Sequence, residues 1–283
     1  MIGVFDSGSG GLTVLKALVE ALPDESFLYL GDHARAPYGE RDNADIVAYT
    51  TEAVDFLMRS GCRLVVIACN TAASVALRTI QQNWLPAHYP RNRVLGVLVP
   101  MVEALAGVPW HREEPHEDDV LRYARVVLFG TTKTIESRAY LEEVNKRAPG
   151  CAIVQQACPN LAGMIEEGAP ERVLLDVIET WVAAALDGHR GFAPDAAVLG
   201  CTHYPLVRHL FARGLPEGTH ILSQPDLIAE ALTDYLRRRP DFAEPGQGSV
   251  RYLTTGDPAH LRGLAVFMTV LHGQFQQVRL SDR

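Results

Sequence analysis

Short apolar runs alternate with amphipathic stretches along most of the chain. The runs are continuous, which is typical of parallel strands that helices cover on both faces. Apolar residues between the runs recur at helical spacing, as in Leu15, Leu18, Val19 and Leu22. This alternation predicts an α/β fold with a parallel sheet. The predicted strands are Met1–Phe5, Ser26–Leu30, Leu64–Ala68, Val94–Val99, Arg125–Phe129, Ala152–Val154 and Ala196–Leu199.

The ends of these strands suggest a duplicated unit. In the first half, strands lead into Asp6-Ser7 and Cys69, and in the second half they lead into Gly130-Thr131 and Cys201. The separations are similar, at 69 − 6 = 63 and 201 − 131 = 70 positions. Open α/β sheets bind ligands at the carboxyl ends of their strands. Two halves that face each other would therefore form one cleft with a cysteine on each side.

Composition narrows the classes of function. The 283 residues are 47% hydrophobic and 21% charged, with a net charge of −8. The negative charge is spread along the chain, which argues against nucleic-acid binding. No apolar run approaches the ~20 residues of a membrane helix, and no basic, apolar leader precedes the first strand. The odd number of cysteines, five, favours free thiols in a reducing cytoplasm.

We assign no catalytic or binding role to two polar segments of the chain. The basic cluster Arg237–Arg239 precedes Pro240, and we predict that it ends a helix, because cations stabilise a helix C-terminus. The polar segment Trp110–Asp119 is predicted to be an exposed loop or a short helix start.

A glycine-rich turn, Asp6-Ser7-Gly8-Ser9-Gly10-Gly11, follows the first strand and opens a helix. Glycines let the backbone approach a ligand closely, and a helix N-terminus offers free N–H groups to an anion. A plain turn between strand and helix is an equally good interpretation. A nucleotide loop fits poorly, because the chain has neither G-x-x-x-x-G-K-[ST] nor G-x-G-x-x-G here.

Two cysteines stand out by position. Cys69 follows an apolar strand and opens a helix, where the positive potential favours a thiolate, although a lone cysteine there is more often a small buried apolar residue. Cys201 is followed two positions later by His203, whose imidazole could take the thiol proton. A hydrogen-bonded structural histidine is the alternative for His203.

Neither zinc nor a pyridoxal cofactor fits the sequence well. Cys62/Cys69 and Cys151/Cys158 each have six residues between them, not two to four as in C-x₂₋₄-C zinc sites. Pyridoxal phosphate needs a Schiff-base lysine, and position alone leaves that role open only for Lys133. The other two lysines are Lys16, on a helix, and Lys146, in a charged stretch. We therefore expect no metal and no cofactor.

Taken together, the motifs resemble those of the bacterial glutamate racemases, within the aspartate/glutamate racemase family. The match runs in order over essentially the whole chain, and the two cysteine motifs with the opening motif are jointly specific. The residues that carry it are Asp6-Ser7-Gly8-Ser9-Gly10-Gly11-Leu12, Gly31-Asp32, Pro37-Tyr38-Gly39, Cys69-Asn70-Thr71-Ala72, Thr131, Thr134, Gly200-Cys201-Thr202-His203-Tyr204-Pro205 and Thr254-Thr255-Gly256-Asp257-Pro258.

The resemblance implies two flavodoxin-like, doubly wound parallel-sheet domains in a pseudo-twofold arrangement with the active site between them. The first domain would span 1–98 with 206–283, and the second 99–205. The family's members act on glutamate without a cofactor, supply D-glutamate for peptidoglycan, and are commonly dimers. The resemblance therefore implies glutamate as the small-molecule substrate, with no nucleic-acid or membrane partner, and a homodimer as one assembly.

The resemblance also implies residue roles. Cys69 and Cys201 match the two acid/base cysteines, Asp6 the residue that assists the first, and His203 and Glu166 those that assist the second. After Cys158-Pro159 the chain departs from the family's apolar, proline-containing stretch, so the choice between Glu166 and Glu167 stays open. The positions that match substrate-holding residues are Ser7, Pro37, Tyr38, Gly39, Asn70, Thr71, Thr131, Thr134 and Thr202.

Other functions remain open at the level of sequence. Racemisation needs an acid and a base on opposite faces of the substrate Cα, which explains two cysteines. An aspartate or hydantoin racemase is the nearest alternative, because substrate choice depends on the depth of the pocket. An amino-acid-binding protein would not need the paired cysteines, and a cysteine hydrolase would need only Cys201 with His203.

Overall fold

A computed structural model describes residues 1–107, 121–187, 192–244, 246, 248–259, 261 and 274–280. The predicted exposed loop Trp110–Asp119 lies outside the described residues. The strands are β1 Ile2–Asp6, β2 Phe27–Gly31, β3 Leu64–Ile67, β4 Arg93–Gly96, β5 Arg125–Gly130, β6 Ala152–Ala157, β7 Ala196–Gly200, β8 His220–Leu222, β9 Val250–Thr254 and β10 Phe275–Gln277.

Helices connect most of these strands. The α-helices are α1 Leu12–Ala21, α2 Asn43–Arg59, α3 Asn70–Thr79, α4 Leu85–His88, α5 Leu98–Ala106, α6 Thr132–Glu136, α7 Ala139–Arg147, α8 Leu161–Glu166, α9 Glu171–Asp187, α10 Arg208–Gly214 and α11 Gln224–Arg238. Short 3₁₀ turns lie at Tyr38–Glu40, Tyr204–Val207 and Pro240–Phe242, and a π-helical turn at Ile80–Trp84. Among the described helices, none is long and apolar enough to cross a membrane.

The strands form two parallel sheets. One has the order β10-β9-β2-β1-β3-β4, and the other β6-β5-β7-β8. The segment β2-β1-β3-β4 of the first sheet has the same order as the whole second sheet, with β1 matching β5 and β3 matching β7. This correspondence agrees with the duplication that the sequence suggested, and the order is that of doubly wound folds. The predicted class, two parallel-sheet α/β domains, is confirmed.

All seven predicted strands form, and one of them ends clearly earlier than predicted. The predicted strand Val94–Val99 ends at Gly96, because α5 begins at Leu98. Pro100 lies in the first turn of α5, where its missing N–H costs nothing and its fixed φ favours the helix. As predicted, the arginine cluster ends a helix, since α11 ends at Arg238.

The predicted domain boundary after residue 205 is wrong. Strand β8 pairs with β7 in the second sheet, and α10 packs on α9 of the same half. The segment 206–222 therefore belongs to the second sheet. The chain returns to the first sheet with α11, which packs on α1, and with β9, which pairs with β2.

Candidate active site

Both cysteines lie at the carboxyl ends of central strands, one in each sheet. Cys69 follows β3 and Cys201 follows β7, and the two line one small cavity of about 30 Å³ between the sheets, which we call the inter-cysteine cavity. Twelve of the fourteen predicted site residues line it. They are Ser7, Pro37, Tyr38, Gly39, Cys69, Asn70, Thr71, Thr131, Glu166, Cys201, Thr202 and His203.

The surroundings of Cys69 favour a protonated thiol. Its sulfur lies 3.2 Å from Ser7 Oγ and accepts a weak hydrogen bond from the Ala72 N–H at 3.5 Å, as the N-cap of α3. Burial, followed by the nearby Asp6 carboxylate, raises the pKa of Cys69 to about 12. At neutral pH this side of the cavity therefore presents a thiol that can donate a proton.

Asp6 lies directly behind the cavity at the end of β1 and is fully buried. Its carboxylate accepts hydrogen bonds from the Gly8 N–H at 2.8 Å and from Thr202 Oγ1 at 3.2 Å. Burial raises its pKa, and the positive charge of His203 opposes that shift. Asp6 therefore acts on Cys69 through its charge, and it ties the first sheet to the Cys201 loop.

The surroundings of Cys201 differ, because a charged chain of hydrogen bonds ends there. The Cys201 sulfur lies 3.8 Å from His203 Nδ1, and His203 Nε2 lies 3.2 Å from Glu166 Oε2. Burial opposes protonation of His203, but Cys201 and Glu166 outweigh it and raise the pKa of His203 to about 10. A charged imidazolium therefore lies next to the Cys201 sulfur.

Glu166, and not Glu167, lies against His203. Burial disfavours its ionisation, but hydrogen bonds from His203 and from Ser9, at 2.8 Å, lower the pKa of Glu166 to about 2. The sequence left the choice between Glu166 and Glu167 open, and the structure places Glu166 in contact with His203. Gly10 makes the close packing here possible, because a Cβ at Gly10 would overlap Thr202 Oγ1 and lie 2.7 Å from His203 Nδ1.

Threonine hydroxyls join the two halves on the other side of the cavity. Thr71 Oγ1 of α3 lies 2.9 Å from Thr131 Oγ1, which lies 3.0 Å from Thr134 Oγ1. Thr131 is the N-cap of α6 and accepts from the Thr134 N–H. Thr134 is fully buried and lies behind Thr131, so it supports the cavity wall without lining it.

Asn70 is fixed by two buried side chains from distant segments. Its Nδ2 donates to Gln224 Oε1 at 2.6 Å, and its Oδ1 accepts from Gln224 Nε2 at 2.7 Å and from Tyr140 OH at 2.8 Å. These contacts join α3, α7 and α11. They hold the amide next to Cys69 in one orientation.

The loop of residues 32–39, part of which lines the inter-cysteine cavity, is held in place by a buried carboxylate. Asp32 follows β2, is fully buried, and accepts hydrogen bonds from Tyr38 OH, Arg35 Nε and Thr255 Oγ1. Pro37 follows a cis peptide bond. The loop also lines a larger opening of about 880 Å³, the outer cleft, which shares Pro37, Thr131 and Glu166 with the inter-cysteine cavity and leads to solvent.

Comparison with known proteins identifies the family. The sequence model of the Asp/Glu/Hydantoin racemase family matches residues 2–231. The chain belongs to the Asp/Glu/Hydantoin racemase family. Among curated members, the glutamate racemase of Phenylobacterium zucineum is 48% identical over 91% of this chain and 92% of its own length. The predicted resemblance and the predicted enzyme class, an amino-acid racemase and thus an isomerase, are confirmed.

Solved members of the racemase family share the whole architecture. A glutamate racemase from Bacillus anthracis superposes with a TM-score of 0.84 at 28% identity, covering 100% of this chain and 98% of its own. The glutamate racemase of Francisella tularensis, solved in complex with D-glutamate, superposes with a TM-score of 0.80 at 26% identity and the same coverage.

Several residues at this racemase site were not predicted. Ser9 lies within the quoted glycine-rich motif, where its hydroxyl was a detectable signal, whereas His33, Tyr140 and Gln224 carry none in the sequence. Lys133, the lysine that position left open, donates to Glu136 at 2.8 Å on an exposed face of α6. Among the described residues, no group of three or more His, Cys, Asp or Glu side chains is arranged to hold a metal ion.

Proposed function

We propose that the chain interconverts L- and D-glutamate without a cofactor, with Cys201 and Cys69 acting on opposite faces of the substrate Cα. The observation that carries this proposal is the pair of buried cysteines at the ends of β3 and β7, in two sheets but in one cavity. Glutamate as the substrate is supported by the curated relatives, which are glutamate racemases, and by the relative solved with D-glutamate.

The unequal surroundings of the two cysteines fit an acid and a base. Cys201, next to protonated His203, acts as a thiolate and removes the Cα proton of L-glutamate. Cys69, whose pKa burial and Asp6 raise to about 12, donates its thiol proton to the opposite face. The products are D-glutamate, a Cys201 thiol and a Cys69 thiolate, and the reverse reaction exchanges the roles.

The site must also stabilise the carbanion that forms between the two proton transfers. Backbone N–H groups near Ser7, Asn70, Thr71 and Thr202 would donate to the substrate carboxylate, and the first turn of α3, which begins at Asn70, lies at the cavity and favours an anion there. Preorganised donors of this kind cost no reorganisation during the reaction. Ser7, Asn70, Thr71, Thr131 and Thr202 would hold the substrate, with Pro37, Tyr38 and Gly39 forming the wall.

The small size of the cavity implies domain movement. At about 30 Å³, the inter-cysteine cavity has room for roughly two water molecules, so it is too small for glutamate. We infer that the two halves separate to admit substrate from the outer cleft and close during the reaction. Closure excludes water, which strengthens every electrostatic interaction with the carbanion.

We also propose that the D-glutamate formed supplies peptidoglycan synthesis, in keeping with the family resemblance. The five cysteines are all unpaired, which suits the reducing cytoplasm where such a reaction would take place. Cells depleted of this chain should resume growth when D-glutamate is added, and growth without added D-glutamate would contradict this role.

The direct test of the reaction uses purified protein with L-glutamate in D₂O and no added cofactor. Loss of optical activity with deuterium appearing at Cα is the expected result, and the same assay with L-aspartate and a hydantoin tests the nearest alternatives. Racemisation of aspartate but not of glutamate would overturn the proposed substrate. Tight binding of glutamate without exchange at Cα would instead indicate a binding protein.

A further inference from the structure

The hydrogen-bond chain at Cys201 does not stop at Glu166. Ser9 Oγ, fully buried, donates to Glu166 Oε1 at 2.8 Å and lies 2.9 Å from His33 Nε2. His33 follows β2 and lines the outer cleft. Neither the family resemblance nor the sequence pattern assigns it a role.

The direction of each hydrogen bond follows from the chemistry of the partners. An ionised carboxylate only accepts hydrogen bonds, and Glu166, with its pKa near 2, is ionised at neutral pH. The single hydroxyl proton of Ser9 is therefore committed to Glu166. Ser9 Oγ must accept from His33, which requires a proton on His33 Nε2.

The other ring nitrogen is held from the C-terminal part of the chain. His33 Nδ1 lies 2.9 Å from Thr254 Oγ1 and 3.1 Å from the Gly31 carbonyl oxygen, and Thr254 Oγ1 itself accepts from the Gly256 N–H. Burial lowers the pKa of His33, and the Glu166 charge, the hydrogen bond to the Gly31 carbonyl and the Asp32 charge oppose that shift. The ring also packs edge-on against Phe275.

These contacts form one continuous chain of hydrogen bonds from His33 to Cys201. His33 donates to Ser9 and Ser9 to Glu166, and protonated His203 donates both to Glu166 and to the Cys201 sulfur. Hydrogen bonds in such a chain polarise and strengthen one another. A free Ser9 hydroxyl, by contrast, could rotate away from the carboxylate.

We propose that His33 is a positioning residue for Cys201: its Nε2–H orients the Ser9 hydroxyl onto Glu166, which holds His203 against the Cys201 sulfur. This proposal deepens the proposed function and rests on it for its effect on catalysis. His33 touches neither the cysteines nor the threonines that face substrate, so its loss should lower kcat and leave KM nearly unchanged.

The test uses three variants of His33 that distinguish the role of Nε2 from that of Nδ1. His33→Gln keeps a donor at the reach of Nε2, His33→Asn keeps a polar group at the reach of Nδ1, and His33→Leu keeps neither. Two readouts are measured: kcat and KM for glutamate, and the rate at which iodoacetamide alkylates Cys201, mapped by peptide mass spectrometry. Alkylation reports the thiolate and needs no substrate.

We expect His33→Leu and His33→Asn to lower both kcat and the Cys201 alkylation rate by roughly tenfold, as for loss of one hydrogen bond to a charged chain. His33→Gln should restore both to within about threefold. Ser9→Ala should reproduce His33→Leu and provides a second variant if the leucine disturbs folding. Parent-like rates in His33→Asn together with low rates in His33→Gln would overturn the proposal, because the contacts of Nδ1 with Thr254 and Gly31 would then be the ones that matter.

The two readouts keep this proposal separate from the proposed function. If the parent does not racemise glutamate but the Cys201 alkylation rates follow the expected order, the substrate assignment fails and the role of His33 stands. If the parent racemises glutamate and all His33 variants alkylate and turn over at the parent rate, the role of His33 is wrong.

Discussion

Replacing Gln224 by methionine should destabilise the protein and weaken substrate binding together. Gln224 is fully buried, and its amide makes both of its short hydrogen bonds to Asn70, which is 2% exposed. Methionine has a similar length and no hydrogen-bonding amide. In the variant, Asn70 Nδ2 loses its acceptor inside the protein, while Asn70 Oδ1 keeps Tyr140.

The size of the effect follows from that single orphaned donor. A buried donor without a partner costs about 1–3 kcal/mol, so we expect a loss of about 2 kcal/mol in the free energy of unfolding. At roughly 2.1 cal/mol/K per residue, the 283 residues give ~0.6 kcal/mol/K. The melting temperature should therefore fall by about 3 °C.

Calorimetry with and without glutamate measures the stability, and steady-state kinetics measures KM. Because Asn70 lines the inter-cysteine cavity, its release should raise KM for glutamate as well. The exposed Gln82→Met is the matched control and should change neither quantity. A melting temperature within about 1 °C of the parent's would show that the Asn70 amide does not depend on Gln224, and the reasoning would fail.

Three further predictions concern the Cys201 side of the site. Glu166→Gln should lower the pKa of His203 from about 10 and reduce kcat by on the order of 100-fold; a His203 NMR titration unchanged from the parent's would contradict the ion pair. The His203–Glu166 pair should stabilise the fold most between pH 4.5 and 6.5, because the pKa of His203 is raised in the folded state and that of Glu166 lowered. Its contribution, measured as the difference in urea unfolding between parent and Glu166→Gln, is then lost as pH rises through about 10 or falls through about 2; a difference that does not vary with pH would refute it. Gly10→Ala should cost about 100-fold in kcat by displacing His203, whereas Gly214→Ala, with its nearest neighbours at 3.5 Å or more, should be neutral; equal rates in the two variants would count against the packing argument.

The parts of the fold that sequence could predict are those with strong local patterns. The central strands are continuous apolar runs, and each was placed to within a few residues. Strands β8 and β10 are only three residues long, and β9 is buried mainly in its second half. Such short strands carry too little periodicity to be recognised, and the missed β8 led directly to the wrong domain boundary after residue 205.

The residues of the site likewise divide into those that a local sequence pattern reveals and those that it does not. The cysteines were visible because a polar residue directly after a buried strand is a local signal, and strand ends converge at one edge of a sheet. Ser9, His33 and Gln224 act through contacts with residues 157, 24 and 154 positions away, respectively. No local pattern marks such pairs, so only the folded structure brings them together.

The most direct test of the two-cysteine mechanism compares Cys69→Ala and Cys201→Ala with the parent, using each enantiomer of glutamate in D₂O. Both variants should lose racemisation by about 10³-fold or more. Cys69→Ala should still exchange the Cα proton of L-glutamate, Cys201→Ala should exchange that of D-glutamate only, and the buried control Cys62→Ala should behave as the parent. If a variant that retains only one of the two cysteines racemises glutamate at the parent rate, the mechanism is contradicted.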